Sequence, residues 1–361
     1  MALSSSSSAG LSWATEGPVK RHRNTFLLPL QHQHKHKHQR PPSEDEEGTL
    51  SSLPKAENLV GIEPGLEKDD RAEISGSSSR NSHEQATLVA ALEGDDTDNR
   101  PVALVILNAQ GEEGKDLLNH LWGIATLRVC ADGGANRLHD SFGGLGRPLE
   151  ERALFVPDVI VGDLDSLRPE VASFYEGLGS EIKLRDDQDH CDFEKCLVEV
   201  ESRLSSSESS AKISTGARPG FPCCAATVVG LGAFGGRFDH EMQAISLLHA
   251  YTPRFHRLVL MGEGNVAFLL EPGRSHTVEP DLRFEGPTVG LIPVGAPCRA
   301  VTTEGLRWNL KGQGLEFGVC VSSSNEVVRD VVQVTTDSPL VWTAEFKNAA
   351  WLESISCDAR G

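Results

Sequence analysis

Residues 226–251 have the sequence ATVVGLGAFGGRFDHEMQAISLLHAY. A short β-branched run leads into a glycine-rich turn, and a segment with the apolar spacing of a helix follows. This strand-turn-helix unit is typical of α/β proteins, in which strands alternate with helices. Its centre also contains G-x-G-x-x-G, the pattern of a dinucleotide-binding turn. The stretch therefore predicts an α/β fold and a turn that can approach phosphate.

Two features argue against a dinucleotide site. The turn does not follow the first strand of the α/β region, and no acid stands where the ribose-binding acid is expected, about 20 residues on at the end of the next strand. That strand, RLVLM, is followed by Gly262 and then by Glu263, so its first acid comes later in the chain than the position expected for a ribose-binding acid. Arg237 and Asp239 instead follow the glycines at once. A fixed cation beside closely approaching backbone suits a polyphosphate better than a nicotinamide cofactor.

The same alternation of strands and helices extends from about Arg100 to about Glu271 and predicts a mostly parallel sheet. Its segments include VALVIL, LRVCADGG, VPDVIVGDLDS, DFEKCLVEVESRL and RLVLMG. Beyond Glu271 the short runs TVGLIPV, GVCVSSS and VVQVTT indicate a smaller all-β domain. We predict an α/β domain over residues 99–270, an all-β sandwich over 271–348 and a C-terminal tail over 349–361.

Residues 1–98 have the composition of a disordered extension, with SSSSS, HQHKHKHQ, PPSEDEE and SGSSSRNS and few aromatic residues. The histidines from His32 to His38 can bind a metal, but a solvated polar run is the favoured interpretation. The Ser-rich, basic first forty residues are also compatible with an organelle transit peptide. A plain extension on a cytoplasmic protein is favoured over that alternative.

The totals exclude several classes of function. The formal net charge of −18 argues against a nucleic-acid partner, which needs a basic surface. The eight cysteines form no C-x-x-C pair, which weakens a structural zinc site and favours free thiols. No apolar run approaches the roughly 20 residues of a membrane span.

Acidic residues gather after the predicted strands, at the sheet edge where open α/β folds bind ligands. In VIVGDLDSL, Asp163 and Asp165 follow an apolar strand, two residues apart. If extended backbone continues, both carboxylates point the same way, and a cation such as Mg²⁺ relieves their repulsion. The alternative is a turn in which Asp and Ser side chains bond to the backbone. The preceding strand favours the metal site.

A second acidic group, in DDQDHCDFEKCL, comprises Asp186, Asp187, Asp189 and Asp192. Asp189 can cap the following helix, and Asp192 suits its first turn. Four acids so close together exceed what a cap requires, because their repulsion must be relieved by a cation or a proton. A metal or acid–base role is therefore also predicted.

Two further patterns are weaker. In ADGGANRLHD, Asp132 ends a strand, Gly133 lets a ligand approach the backbone, and Asn136 opens a helix, although a tight turn alone explains the glycines. In the all-β part, TTEGLRWNL contains Trp308. An exposed Trp can stack on a flat or cationic ring, whereas a Trp in a small β domain is commonly core. The sequence leaves both possibilities open.

Eight motifs follow one another between about Val102 and Lys347: CADGGANRL, GDLDSLRPEV, DQDHCDFEKCL, GGRFDH, GLIPVG, TTEGLRWNL, VSSSN and TDSPLVWT. Taken in this order, they resemble the thiamin pyrophosphokinase (thiamine diphosphokinase) family. The resemblance implies a homodimer with active sites where subunits meet, an α/β domain that carries ATP and Mg²⁺, and a β-sandwich that helps to bind thiamine. The implied reaction transfers the diphosphoryl group of ATP to thiamine and yields thiamine diphosphate and AMP.

The resemblance also implies roles for individual residues. The implied metal ligands are Asp163, Asp165 and Asp189. The implied catalytic residues are Asp163, Asp165, Asp189, Asp192, Arg237 and Asp239, with Asp192 or Asp189 as the base for the thiamine hydroxyl. The implied ATP-binding residues are Asp132, Gly133, Asn136, Gln188, Gly235, Gly236 and Arg237. The implied thiamine-binding residues are Trp308, Ser324 and Asn325.

Four positions depart from the family pattern: Cys191 replaces Thr, Asp186 replaces Pro, His240 replaces Gln and Glu304 replaces Thr. None of these changes removes an implied metal ligand. Cys191 lacks a hydroxyl donor and Glu304 adds charge near the implied thiamine site, so substrate affinities are expected to differ from those of typical members. The long extension and the Ser-rich insertion at 205–222 are further departures.

Other functional classes fit fewer of these segments. A D-x-D glycosyltransferase that binds a nucleotide sugar through a metal accounts for GDLDS but not for GGRFD or the Trp and Asn segments. A non-catalytic thiamine or nucleotide binder has no need of intact acids in all the clusters. A dehydrogenase is the least favoured alternative.

Overall fold

The computed structural model describes residues 19–24, 100–109, 115–142, 153–208 and 224–347. The histidine run at 32–38, the acidic stretches before residue 99, most of the Ser-rich insertion and the predicted C-terminal tail lie outside these ranges. The α-helices of the described ranges are α1 (Lys115–Ile124), α2 (Gly134–Phe142), α3 (Pro169–Gly177), α4 (Asp192–Glu208) and α5 (Phe238–Tyr251). The first eight strands are β1 (Lys20–His22), β2 (Val102–Ile106), β3 (Leu127–Ala131), β4 (Val159–Gly162), β5 (Glu181–Leu184), β6 (Cys224–Leu231), β7 (Phe255–Gly262) and β8 (Asn265–Leu270). The remaining strands are β9 (Ser275–Val278), β10 (Glu285–Ile292), β11 (Cys298–Glu304), β12 (Lys311–Leu315), β13 (Ser322–Glu326), β14 (Val332–Thr336) and β15 (Leu340–Phe346).

One ten-stranded sheet has the strand order β13-β10-β15-β8-β7-β6-β2-β3-β4-β5. The six strands from β7 to β5 are parallel, and those from β7 to β13 alternate in direction. The predicted fold class, a mostly parallel α/β region followed by a β-rich part, is confirmed. The predicted boundary at residue 270 lies between β8 and β9, and the sheet continues across it because β10, β13 and β15 join the same sheet.

A tight turn changes the sheet from parallel to antiparallel. Glu263 and Gly264 both have positive φ, 46° and 70°, between the paired residues Gly262 and Asn265. Two positive φ values in a two-residue loop define the type I′ turn that suits a twisted hairpin. β8 therefore pairs antiparallel with β7, and the sheet ceases to alternate strands with helices.

Helices cover both faces of the parallel strands because side chains alternate along each strand. On β2, Leu104 and Ile106 belong to the core beneath α1, α2 and α3. Ala103 and Val105 belong to the core beneath α4 and α5. The completely buried Leu104, Ala103 and Val105 show that this strand lies at the centre of the sheet.

A second, five-stranded sheet has the order β1-β9-β14-β11-β12. Its buried residues, including Val278, Val301 and Val332, share one apolar core with Phe268 and Trp342 of the ten-stranded sheet. That core also includes the inner faces of α1, α2 and α3. The second sheet thus covers the antiparallel strands on the side where helices cover the parallel ones.

Residues 19–24 differ from the prediction of a disordered extension, because Lys20–His22 form β1 and pair with β9. The segment is too short and too polar to show a strand pattern in the sequence. Partners from distant parts of the chain stabilise it, and His22 is 2% exposed. A strand of this kind depends on tertiary contacts more than on local propensity.

The carboxyl ends of the parallel strands define the edge at which ligands bind in such sheets. The chain runs from β2 outward to β5 and then returns to β6 on the other side of β2. The acids singled out in the sequence follow β3, β4 and β5 at this edge. Within the described ranges, no helix is both long and apolar enough to cross a membrane.

Candidate functional site

Three carboxylates converge at the carboxyl edge of the parallel sheet. Asp132 follows β3, Asp163 follows β4, and Asp192 is the first residue of α4. Ligand oxygens of these three residues, hereafter the acidic triad, all lie within 4.8 Å of one another. Parallel neighbouring strands bring the first two together, and the loop after β5 returns the chain so that α4 adds the third.

Asp132 is the most buried member, with 2% of its surface exposed. Its φ is +41°, a left-handed conformation that Asp tolerates better than most residues. The Ser166 N–H donates to its Oδ2 at 3.1 Å. Burial and the charges of Asp192 and Asp165 raise the pKa of Asp132, despite this hydrogen bond.

Gly162 at the end of β4 is what allows the triad to close. A Cβ at this position would lie 2.6 Å from the Cβ of Asp132 and 3.2 Å from Oδ1 of Asp192. Both distances are shorter than ordinary contacts, so any side chain would push the carboxylates apart. The glycine of GDLDS thus permits the close approach of the two neighbouring acids.

Asp163 is held in a turn, the alternative considered for the D-x-D motif, and also belongs to the triad. Its Oδ1 accepts the Asp165 N–H at 3.3 Å, and its Oδ2 accepts an N–H of the Gln188 amide at 3.2 Å. Partial burial would raise the pKa of Asp163, but these hydrogen bonds and the charge of Lys195 hold it below its usual value. Turn and converging carboxylates therefore coexist.

Lys195, which no sequence motif predicted as a site residue, lies beside the triad. Its Nζ is 3.1 Å from Oδ1 of Asp192 and 4.0 Å from Oδ2 of Asp163, and the residue is 8% exposed. A buried ammonium needs such partners. The sequence feature that could have indicated Lys195 as a site residue is its position one helical turn after Asp192, on the helix face that also buries Cys196. Three carboxylates and one ammonium leave two negative charges, which a divalent cation would neutralise.

The remaining implied metal ligands lie outside the triad. Asp165 is exposed, and its Oδ1 accepts the Ser166 hydroxyl at 3.0 Å. Asp189 is exposed in the loop before α4, where its N–H donates to Oδ1 of Asp187 at 2.9 Å. Of the implied ligands, the structure therefore brings Asp163 into the triad, together with Asp132 and Asp192.

Asn136 clamps the loop that carries Asp163. Its Nδ2 donates to the Ser166 carbonyl at 2.7 Å, and its Oδ1 accepts the Arg168 N–H at 3.1 Å. Gly133, next to Asp132, packs under the same loop, because a Cβ there would lie 3.2 Å from the Cβ of Ser166. The amide of Asn136 is thus committed to backbone groups of the loop.

For the reaction that the resemblance implies, replacing Asn136 with Ala is expected to lower kcat by about tenfold, with the KM for ATP changed less than about threefold, because the Asp163 loop loses two hydrogen bonds. Steady-state kinetics at varied ATP measures the split. Arg137→Ala is the matched control, since Arg137 is exposed and contacts Asn108 instead. A large rise in KM for ATP at unchanged kcat would assign Asn136 to ATP contact.

The glycine turn that follows β6 ends in an exposed cation. Gly235 and Gly236 have φ of +90° and +91°, and a Cβ on Gly235 would lie 2.5 Å from Cγ of Glu263. Arg237 precedes α5 and pairs with Asp239, with 69% and 63% of their side-chain surfaces exposed. Both implied catalytic residues are therefore accessible from solvent and make an ion pair with each other.

In the five-stranded sheet region, Trp308 is not a core residue, because it is 57% exposed. Arg307 stacks over its ring at 5.2 Å. Asn325 is 3% exposed and fixes the Trp308 backbone, accepting its N–H at 3.2 Å and donating to its carbonyl at 2.9 Å. Ser324 has a φ of +54° immediately before Asn325. The implied thiamine residues thus form one local unit, in which Asn325 presents Trp308.

Comparisons with known proteins match both the α/β and the β-rich parts of the chain. The family model "Thiamin pyrophosphokinase, catalytic domain" matches residues 118–260, and "Thiamin pyrophosphokinase, vitamin B1 binding domain" matches residues 275–341. The chain is 40% identical to thiamine pyrophosphokinase 1 of Oryza sativa subsp. japonica over 250 residues, which cover 68% of this chain and 88% of that protein. It is 37% identical to thiamine pyrophosphokinase 1 of Arabidopsis thaliana, over 68% of this chain and 86% of that protein.

Solved structures show the same similarity. The yeast thiamin pyrophosphokinase structure superposes with a TM-score of 0.62 at 26% identity, over 72% of this chain and 90% of that one. The Candida albicans thiamin pyrophosphokinase structure gives a TM-score of 0.58 at 27% identity, over 69% and 90%.

Proposed function

The chain belongs to the thiamin pyrophosphokinase family, and we propose that it is a thiamine diphosphokinase. It transfers the β,γ-diphosphoryl group of ATP to the hydroxyl of thiamine and releases AMP. The observation that carries this proposal is the acidic triad, whose ligand oxygens lie within 4.8 Å of one another beside Lys195. A glycosyltransferase or a simple binder is not favoured, because the family matches extend through both the α/β and the β-rich regions.

The acidic triad fits Mg²⁺. This ion prefers oxygen ligands and is usually held by one or two protein carboxylates together with substrate phosphates. We propose that Asp132, Asp163 and Asp192 would hold it, with the other implied ligands, Asp165 and Asp189, at exposed positions in the loops beside the triad. When bound, the ion would offset negative charge on the phosphates during transfer.

The residues of this chain supply the remaining requirements of the reaction. Lys195 and Arg237 provide fixed positive charge for the diphosphoryl group and the departing AMP. One of two carboxylates, Asp192 or Asp189, accepts the proton of the thiamine hydroxyl. Asp239 keeps the Arg237 guanidinium in place through their ion pair.

ATP lies along the carboxyl edge of the sheet in this proposal. Gly235 is half-exposed and Gly236 is exposed. Because neither has a side chain, a phosphate can approach their backbone closely. Gln188 already donates to Asp163 and can orient a phosphate oxygen beside it. Three further residues support this site by fixing the triad and the Asp163 loop: Asp132, Gly133 and Asn136.

Thiamine binds at Trp308 in this proposal, because an exposed aromatic face attracts the cationic thiazolium ring. Ser324 and Asn325 complete the thiamine site, Asn325 by holding the Trp308 backbone. In this proposal each domain binds one substrate: the catalytic domain, residues 99–270, binds ATP, and the thiamine-binding domain, residues 271–348, binds thiamine. We further propose a homodimer whose active sites form between subunits, and a cytoplasmic location.

Replacing Trp308 with Ala is expected to raise the KM and Kd for thiamine by about tenfold, while the melting temperature stays unchanged because the side chain is exposed. Thiamine titration and steady-state kinetics measure the effect. Phe317→Ala is the matched control, since Phe317 is also exposed, at 61%, and lies outside the proposed site. Equal thiamine affinity in parent and Trp308→Ala would remove Trp308 from the site.

The proposed function is tested with purified protein, ATP, Mg²⁺ and thiamine, with nucleotides and thiamine phosphates separated by chromatography. We expect AMP and thiamine diphosphate in equal amounts, and neither product without thiamine or with a chelator in place of Mg²⁺. ADP as the sole nucleotide product would indicate another phosphotransferase. Tight thiamine binding without turnover would indicate a binder.

A further inference from the structure

The edge of β9 and the polar side chains beneath it hold residues 19–24 by many specific contacts. Lys20, Arg21 and His22 pair in parallel register with His276, Thr277 and Val278. The Glu279 N–H then donates to the His22 carbonyl at 2.9 Å. Segment 25–99, which leads on to Arg100, lies outside the described residues.

Residues 19–24 lie in a groove along the β9 edge, and the floor of this groove is buried and polar. His276 of β9 and Glu285 of β10 are 0% and 3% exposed. His22 Nε2 lies 2.9 Å from His276 Nδ1, and Asn24 Nδ2 donates to Glu285 Oε2 at 2.6 Å. Burial raises the pKa of Glu285 to about 7, although Asn24 and Arg257 oppose this shift. Without residues 19–24, both floor side chains would lose a hydrogen-bond partner, which is costly for buried polar groups.

The groove also matches the segment in shape and charge. The His22 ring stacks on Phe268 with centroids 4.7 Å apart. At the rim, Lys20 Nζ lies 2.7 Å from Glu271 Oε2, and Arg23 pairs with Glu279. A basic strand therefore lies between acidic rim residues, with its imidazole inserted between the two sheets.

We propose that this groove, formed by the β9 edge, Glu271, Glu279, His276 and Glu285, is a binding site for an extended basic peptide segment. Residues 19–24 fill it as a docked strand that stays bound after the chain is cut within segment 25–99. Strand addition to an exposed sheet edge, with side-chain pockets for specificity, is an established mode of peptide recognition. Processing that removes residues 19–24 altogether would empty the groove.

The test uses the full-length chain with a protease recognition sequence inserted within segment 25–99, cut after purification. Size-exclusion chromatography and a dilution series measure whether the N-terminal fragment stays with the body. We expect the parent fragment to co-elute, and His22→Ala to raise its dissociation constant by at least about tenfold, because the imidazole loses its stacking and its partner.

Arg21→Ala is the matched control, because Arg21 lies on the same strand with an exposed side chain. Its fragment should dissociate as the parent fragment does. If uncut His22→Ala lacks a cooperative melting transition, Asn24→Ala replaces it, with the same expectation. Release of the parent fragment on cutting, or equal effects of Arg21→Ala and His22→Ala, would overturn the proposal. Enzyme activity enters none of these readouts, so the result is independent of the proposed function.

Discussion

Replacing Asp163 with Asn is expected to lower kcat by about 10³-fold or more while the chain stays folded. Asp163 shares the acidic triad with Asp132 and Asp192. Hydrogen bonds from the Gln188 amide and the Asp165 backbone N–H, together with the charge of Lys195, keep its carboxylate ionised. An amide keeps the shape but removes the charge that a cation needs. The free energy of unfolding should change by no more than about 1 kcal/mol, since the side chain is partly exposed.

The measurements are AMP release at saturating substrates and the melting temperature with and without Mg²⁺. The stabilisation that Mg²⁺ gives the parent should be lost in the variant. Asp165→Asn, in the same loop but outside the triad, should cost only about tenfold in kcat. Glu170→Gln, an exposed acid on α3, should match the parent. Near-normal turnover of Asp163→Asn would contradict the metal assignment.

Replacing Lys195 with Met is expected to lower kcat by about 10²-fold or more, and to destabilise the metal-free protein by about 1–3 kcal/mol. The buried ammonium lies 3.1 Å from Asp192 and 4.0 Å from Asp163. Its removal leaves their charges uncompensated, and a divalent cation offsets that loss. The stability deficit should therefore shrink as Mg²⁺ is added. Denaturant unfolding at several Mg²⁺ concentrations measures this dependence.

Lys183→Met is the matched control for this prediction. Lys183 pairs with the buried Glu199 at 2.7 Å, away from the triad, so its loss should cost stability that Mg²⁺ does not restore. Lys195→Arg keeps the charge and should retain more of the metal-free stability than Met. If Lys195→Met and Lys183→Met respond identically to Mg²⁺, Lys195 does not act on the triad.

Much of the candidate site could be predicted because it follows a rule about parallel sheets. Asp132 and Asp163 were recognisable as acids directly after apolar strands, and such strand ends meet at one edge. Asp192 was recognisable from the density of acids before a helix. Which acids share one triad was not predictable, because it depends on where each loop turns, as the exposed positions of Asp165 and Asp189 show.

The features that sequence reasoning missed depend on contacts between distant residues. Lys195 stands on an apolar helix face, and only the fold shows that this face meets the end of β4. β1 carries no strand pattern of its own, and its partner His276 lies 254 positions away. The sheet is continuous through both regions because of the tight turn at Glu263 and Gly264. Predicted strands and domain boundaries do not show that the strands on either side of this turn belong to one sheet.

The proposed function requires the acidic triad to support transfer of a diphosphoryl group from ATP to thiamine. The most direct measurement uses ATP radiolabelled at the β-phosphorus, with thiamine and Mg²⁺, and follows the label through chromatography. We expect the label in thiamine diphosphate, with unlabelled AMP as the other product, and no transfer by Asp163→Asn. Label found in ADP, or labelled thiamine diphosphate formed equally well by Asp163→Asn, would contradict the proposed function of the triad.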